Sequence, residues 1–379
     1  MKQFALGFTR TLRAAALVAL AGGLLACSGP EKAKPVELGP NPATMGVRTV
    51  WNASIGSVQY PLDIRVVGNS IFVAGSDGVV AELDARTGGD VWRVALGAKL
   101  AAGVGSDGRY AAVVSRANEV IAMDAGREIW RQKLQALTLT APLVAGARVF
   151  VLSVDRSVAA FDAASGRKLW QQQRAGDPLV LGQSGTLMAI GDTLVAGLGG
   201  RLVGMNPQNG NARWDVAVGT SRATNDVERL VDLVSGVARE SSQVCVRAFQ
   251  SSVGCVDGVK GSLLWSKVAY GATGLTGDNM EIFGTESDGK VLAWRRADGE
   301  RLWSSERLRF RSLTTPLLVG PALVIGDEAG ILHFMSRKDG SLLNRMNTDG
   351  SPLVVAPVLV GSTLVVVTQR GSIYGLRPE

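Results

Sequence analysis

Apolar residues along the chain fall into short runs with a period of two rather than into helical stripes. The stretch after Gly68 shows the unit. Ile71 to Ala74 is an apolar run, Ser76-Asp77-Gly78 interrupts it, Val79 to Leu83 alternates, and Thr87-Gly88 leads into Val91-Trp92. Runs of this length with Gly-bearing interruptions predict antiparallel strands joined by tight hairpins. The period also excludes a helical solenoid, whose apolar positions recur about every 3.6 residues.

The unit repeats. A Gly stands four residues before a Trp at Gly88 and Trp92, Gly126 and Trp130, Gly166 and Trp170, Gly210 and Trp214, Gly261 and Trp265, and Gly299 and Trp303, while Gly340 and Asn344 keep the spacing without the Trp. Successive Trp residues are 38, 40, 44, 51 and 38 positions apart, close to the roughly 40 to 45 residues of a four-stranded propeller blade. Three strands surround each Gly and Trp pair. A fourth is predicted upstream, in segments such as Thr140-Ala141-Pro142-Leu143-Val144, Thr314-Thr315-Pro316-Leu317-Leu318 and Ala356-Pro357-Val358-Leu359. Pro suits a strand start, where no ladder donor is lost.

The last unit, Gly361 to Leu376, ends before it supplies an outermost strand, and Val47-Arg48-Thr49-Val50-Trp51 is a strand without a unit. The expected fold is therefore all-β: an eight-bladed β-propeller of four-stranded antiparallel blades over residues 47–379, closed by the N-terminal strand. Closure leaves only short, protected edges. The repeated Trp rings are read as structural, filling the wedge that widens between neighbouring blades. Trp294 falls on a different strand of its unit, and the repeat gives it no role.

Composition fits this picture. Apolar residues make up 46% of the chain and charged residues 19%, enough for a large core and too apolar for disorder. The formal charge of +7 falls to +4 once Lys2, Arg10 and Arg13 of the leader are set aside, with 37 basic against 33 acidic residues. No dense basic run is interleaved with aromatics, so nucleic acid is not an expected partner.

Residues 1–26 carry that basic start and then an apolar stretch from Ala14 to Ala26, short for a membrane span and fitting a signal-peptide core. Leu24-Leu25-Ala26-Cys27 resembles the bacterial lipobox, in which the Cys thiol receives diacylglycerol; the alternative is an ordinary signal peptide with an incidental Cys. More than one acyl chain is needed for stable anchoring, and a lipoprotein anchor supplies it. Ser28 after the Cys implies, by the sorting rule of Gram-negative lipoproteins, the outer membrane with the protein facing the periplasm. Residues 28–46, rich in Pro (Pro30, Pro35, Pro40, Pro42) and without periodicity, read as a flexible tether.

Residues with chemical potential are few. Aligned with the first unit, Cys245 and Cys255 take the places of Phe72 and Glu82, equidistant from a hairpin turn and so directly opposed. An exported chain favours a disulfide there over two unpaired buried thiols. His333, the only histidine, rules out His-based triads and multi-His metal sites. Asp84, Asp124, Asp162 and Asp257 repeat at one blade position and read as turn formers. No catalytic residue, metal or cofactor is expected. Units ending Ala-x-Asp-x-x-x-Gly-x-x-x-Trp resemble those of pyrroloquinoline-quinone dehydrogenases, which makes a quinone enzyme the alternative function. Those enzymes are longer and carry adjacent cysteines, unlike Cys245 and Cys255. A propeller adaptor of another envelope complex is the third reading.

Function on a rigid repeat belongs to the loops that depart from it. The two long intervals place extra residues at 174–183 and 217–235. Both follow a Trp-bearing strand and should emerge side by side on one face near the fourth blade. The first holds Asp177-Pro178-Leu179-Val180-Leu181-Gly182 and the second Asn225-Asp226-Val227-Glu228-Arg229-Leu230-Val231-Asp232.

The lipobox, the Pro-rich tether, the Trp-bearing blades and the Asp-Val-Glu-Arg-Leu-Val-Asp stretch together resemble the BamB family, lipoproteins of the outer-membrane β-barrel assembly machinery. The likeness extends to Thr315-Pro316, Gly326-Asp327, Gly330, Leu332-His333 and Asp339-Gly340. It implies a non-enzymatic scaffold that binds periplasmic domains of BamA, and through it the other lipoproteins of the complex, and admits unfolded outer-membrane proteins as further partners. Leu179, Leu181 and Asp232 match the residues with which that family binds BamA, and Glu228, Arg229 and Leu230 match the motif leading to them. Gly182 stands where the family has Arg, and Val234 where it has a second Asp.

Overall fold

The computed structural model describes residues 33–175, 181–220 and 230–379. The lipidation candidate Cys27 and the leader lie outside these residues, as do Leu179, Glu228 and Arg229. Among the described residues, thirty-two strands form eight four-stranded antiparallel sheets. Seven blades use consecutive strands: blade 1 spans 65–95, blade 2 105–133, blade 3 143–173, blade 4 187–217, blade 5 238–268, blade 6 275–305 and blade 7 317–347.

Blade 8 is shared between the chain's ends. Its inner three strands are Val358–Val360, Thr363–Val367 and Ser372–Pro378, and its outer strand is Val47–Ser54, paired antiparallel with Ser372–Pro378 from Val47 opposite Pro378 to Ser54 opposite Ser372. The ring thus closes on the N-terminal strand.

Each sheet is too small to bury its own faces, so the core lies between blades. Apolar clusters join blades 2 and 3, 3 and 4, 4 and 5, 5 and 6, 6 and 7, and 7 and 8, and one larger cluster joins blade 8 to blades 1 and 2. Ile71, Leu83, Ile121, Met123, Leu194 and Leu202 on middle strands are wholly buried.

The Gly to Trp spacing has a specific cause. The Trp of one blade lies on the turn Gly of the next: Trp130 on Gly166, Trp214 on Gly261, and Trp51 on Gly88 across the closure. Gly166 has φ +72°, and a Cβ there would sit 2.6 Å from the Trp130 ring, so both backbone conformation and space demand Gly. At several of these interfaces the indole N–H also crosses, although that of Trp214 finds no partner among the described residues. Trp51 donates to the Ala85 carbonyl at 2.9 Å, Trp130 to Ala163 at 2.8 Å, Trp265 to Arg296 at 2.7 Å and Trp303 to Arg337 at 2.9 Å.

A β-bulge at the residue before the Trp recurs in every outer strand that carries one, and before Asn344 in blade 7. Register shifts at Val91, Ile129, Leu169, Arg213, Leu264 and Leu302 mirror the one at Val50. This bulge re-aims the chain so that the Trp turns inward and leaves its predecessor outside, with Val91 58% and Leu264 47% exposed. Asn344 lacks a Trp for a related reason. The blade it faces has no turn before its outer strand, because that strand arrives from the other end of the chain; Asn344 instead donates to the Met45 carbonyl at 2.7 Å.

Residues 36–46, read above as part of a flexible tether, lie along blade 7 and its approach. Val36 N–H donates to the Arg309 carbonyl at 3.1 Å and Thr44 N–H to Leu343 at 2.8 Å. Arg345 reaches the Gly39 carbonyl at 2.7 Å, and Leu38 packs against the core between blades 6 and 7. Their polar groups are met without any periodic pattern, which is why the sequence showed no element there.

Trp294 also finds a role. Arg247, on the second strand of blade 5, is wholly buried; its guanidinium pairs with Glu286 of blade 6 at 2.9 Å and lies 5.9 Å from the Trp294 ring centroid. The indole face covers a cation that a buried site must neutralise.

Candidate partner-binding site

The first long connection joins the outer strand Lys168–Gln173 of blade 3 to the inner strand Leu187–Ile190 of blade 4, and the second joins Ala212–Ala217 to Ala238–Glu240 of blade 5. Connections from an outer strand to the next inner strand leave every blade on the same face, together with the hairpin turn between second and third strands. The two loops therefore flank blade 4 on one face.

They also touch. The Leu181 amide donates to the Asp232 carboxylate at 3.0 Å. Beyond it, Gly185 pairs with Val234, Ser235 N–H donates to the Ser184 carbonyl at 3.0 Å, and the Thr186 hydroxyl donates to the Val234 carbonyl at 2.8 Å. Each loop is further tied to its surroundings. Gln183 reaches the Ala272 carbonyl at 3.2 Å, Leu233 N–H donates to Gly199 at 3.0 Å and Phe249 N–H to the Asp232 carbonyl at 3.0 Å.

At this junction lies a shallow pocket of about 60 Å³ lined by Leu152, Arg156, Leu181, Leu198 and Asp232. It is a mixed depression in which the leucines meet Thr140, Ser153, Gln183 and Ser184, with one acid and one base among them. Leu181, Leu230 and Asp232 are half-buried and Gly182 is exposed. Val234 is 2% exposed and serves the core between the loops, so it presents no side chain to a partner. Arg156 was not singled out in the sequence. It sits in the hairpin turn of blade 3 with φ +61°, and only the ring geometry brings that turn beside residues 181 and 232.

Cys245 and Cys255 stand opposite each other on the second and third strands of blade 5, joined by a disulfide. The repeated aspartates act in turns: Asp84 accepts from the Arg86 amide at 2.7 Å, Asp162 from Ser165 at 2.8 Å and Asp257 from Val259 at 3.0 Å. His333 is buried, 2.9 Å from Asp327, which also receives Arg311 at 3.1 Å. Burial alone would raise the Asp327 pKa, but the His333, Ile331 and Arg311 contacts outweigh it and hold the carboxylate below its usual range. Among the described residues no group of three His, Cys, Asp or Glu side chains is placed to hold a metal ion.

Comparison with known proteins gives one family. Residues 76–305 match a family model described as outer membrane protein assembly factor BamB. The outer membrane protein assembly factor BamB of Burkholderia pseudomallei is 38% identical, covering 97% of this chain and 99% of that protein. That of Bordetella pertussis is 34% identical, covering 95% of each. The crystal structure of BamB from Moraxella catarrhalis superposes with a TM-score of 0.79 at 21% identity, covering 88% of this chain and 100% of that one. A quinohemoprotein alcohol dehydrogenase from Comamonas testosteroni superposes with a TM-score of 0.67 at 14% identity, a likeness of fold alone. The match over most of the propeller and the near full-length relatives above 30% identity show that the chain belongs to the BamB family of outer membrane protein assembly factors.

Proposed function

We propose that this chain is a non-catalytic scaffold of outer-membrane protein assembly, holding periplasmic domains of BamA on the face where residues 181–186 meet 230–235. It supports the folding and insertion of β-barrel proteins while anchored to the outer membrane through a lipid on Cys27. The observation that carries the reading is the hydrogen bond from the Leu181 amide to the Asp232 carboxylate. Two loops 51 residues apart become one surface, and a surface preorganised in this way loses little entropy on binding.

Leu179 and Leu181 are the apolar anchors in this account, and Asp232 and Arg156 set the charge at the rim. Glu228, Arg229 and Leu230 are secondary contributors to the BamA contact, and the other lipoproteins of the complex are reached through BamA. Unfolded outer-membrane proteins are secondary partners that the propeller meets while held there.

The test is capture of purified BamA periplasmic domains by the wild type and by a variant carrying Leu179→Asp with Leu181→Asp. Capture falling at least tenfold with an unchanged circular dichroism melt is expected, since two apolar anchors of the contact become charges. Equal capture by both proteins removes the assignment.

A further inference from the structure

The geometry points to Asp63 as a positioning residue for this docking face, acting from the opposite side of the ring. Asp63 lies just before the inner strand Arg65–Val67 of blade 1, in a connection that carries no repeat motif. Blades 1 and 5 stand across from each other in a ring of eight, and the Asp63 carboxylate spans the central channel. One oxygen accepts from the Ser184 hydroxyl at 2.9 Å and the other lies 3.5 Å from the Ser235 hydroxyl. Those serines are the roots of the two docking loops, three residues after Leu181 and three after Asp232.

The channel supports this reading. It widens into cavities of about 440 and 190 Å³, and Asp63, Ser184 or Gly185, Ser235 and Gly236 line the boundary between them. Without the carboxylate the loop roots would face open space on the channel side. Neighbouring backbone is also seated there, since Gly103 lies against the Asp63 main chain closely enough that a Cβ would come within 3.1 Å of its carbonyl. Asp63 is therefore held on its own side while it reaches across.

Stability does not explain a carboxyl at this place. Burial raises the Asp63 pKa, and the two hydroxyls only partly offset that. A carboxyl whose folded pKa is raised contributes less stability as pH rises through that value. What it supplies is two acceptors on one rigid fork, joining both loops at once.

The inference rests on the docking face proposed above, and its test separates the two. Hydrogen exchange of the full mature chain is followed by mass spectrometry over 181–186 and 230–236, with strands of blades 2 and 7 as controls, beside capture of BamA periplasmic domains. Asp63→Ala is expected to speed exchange about tenfold in both loop segments, leave the controls unchanged and weaken capture. Asp63→Asn should restore both, because its amide can accept from one hydroxyl and donate to the other. Unchanged exchange in the loops of Asp63→Ala, or equal acceleration throughout the ring, overturns the positioning role. Loosened loops with intact capture uphold it and overturn the docking face instead. Should Asp63→Ala not fold, Ser184→Ala with Ser235→Ala poses the same question from the other end of the bridge.

Discussion

Trp51→Ala tests whether the ring closes as described. The side chain is 8% exposed, donates to the Ala85 carbonyl at 2.9 Å and covers both Gly88 and Gly375. Truncating a buried Trp to Ala costs about 3 to 5 kcal/mol through lost transfer energy and the cavity left behind. The stranded Ala85 carbonyl adds about 1 kcal/mol. Against a typical total of about 5 to 15 kcal/mol, a loss of about 4 to 6 kcal/mol should move the guanidinium midpoint well below that of the wild type. Far-ultraviolet circular dichroism is the suitable probe, since the substitution removes a fluorophore. Trp51→Phe keeps an aromatic ring but loses the hydrogen bond and part of the indole's buried volume, so its cost should fall between wild type and Trp51→Ala, at about 1 to 3 kcal/mol. Trp130→Ala, with the same contacts at an internal interface, is the control. A Trp51→Ala midpoint equal to wild type, beside a large loss in Trp130→Ala, would refute closure by the N-terminal strand.

Three further outcomes follow from the same contacts. Reducing the Cys245 to Cys255 bond, or replacing both by Ala, should lower stability by about 2 to 3 kcal/mol for so short a loop, read as a midpoint shift with and without reductant. Asp349 accepts from Ser351, Thr368 and Ser372; burial opposes ionisation, but these bonds hold its pKa at about 2. Its ionic contribution is present above the unfolded carboxylate pKa and lost as pH falls through 2, so Asp349→Ala should cost about 1 kcal/mol more at pH 7 than near pH 2, after allowance for screening, checked by melts across that range. Gly166→Ala should cost about 1 to 3 kcal/mol from its positive φ and the Trp130 ring above it, and an unchanged melt would contradict the role given to that contact.

The ring was legible because one contact recurs. A Trp that must lie on the next blade's turn Gly writes its geometry into the chain as a fixed spacing, and a last unit without an outer strand placed the unmatched Val47 to Trp51 in the last blade. Strand starts after Pro142, Pro316 and Pro357 were legible for the local reason that Pro cannot donate to a ladder. What stayed hidden depends on which blades meet. Trp294 gained its role only when blade 6 was laid against Arg247 of blade 5. Arg156 joined the site only when a turn of blade 3 came beside two loops far along the chain. Asp63 sits in a segment without a repeat, and nothing local to it marks Ser184 or Ser235. The loop face was legible as an excess of residues over the blade period, but the bond between Leu181 and Asp232 was not, since a main-chain donor leaves no trace in residue identity.

The most direct test of the docking face is site-specific cross-linking in cells. A photo-reactive residue at position 181 should give an adduct with BamA, whereas the same residue at Asp192, exposed on the opposite face of blade 4, should not. Adducts to BamA from 192 and none from 181 would contradict the account.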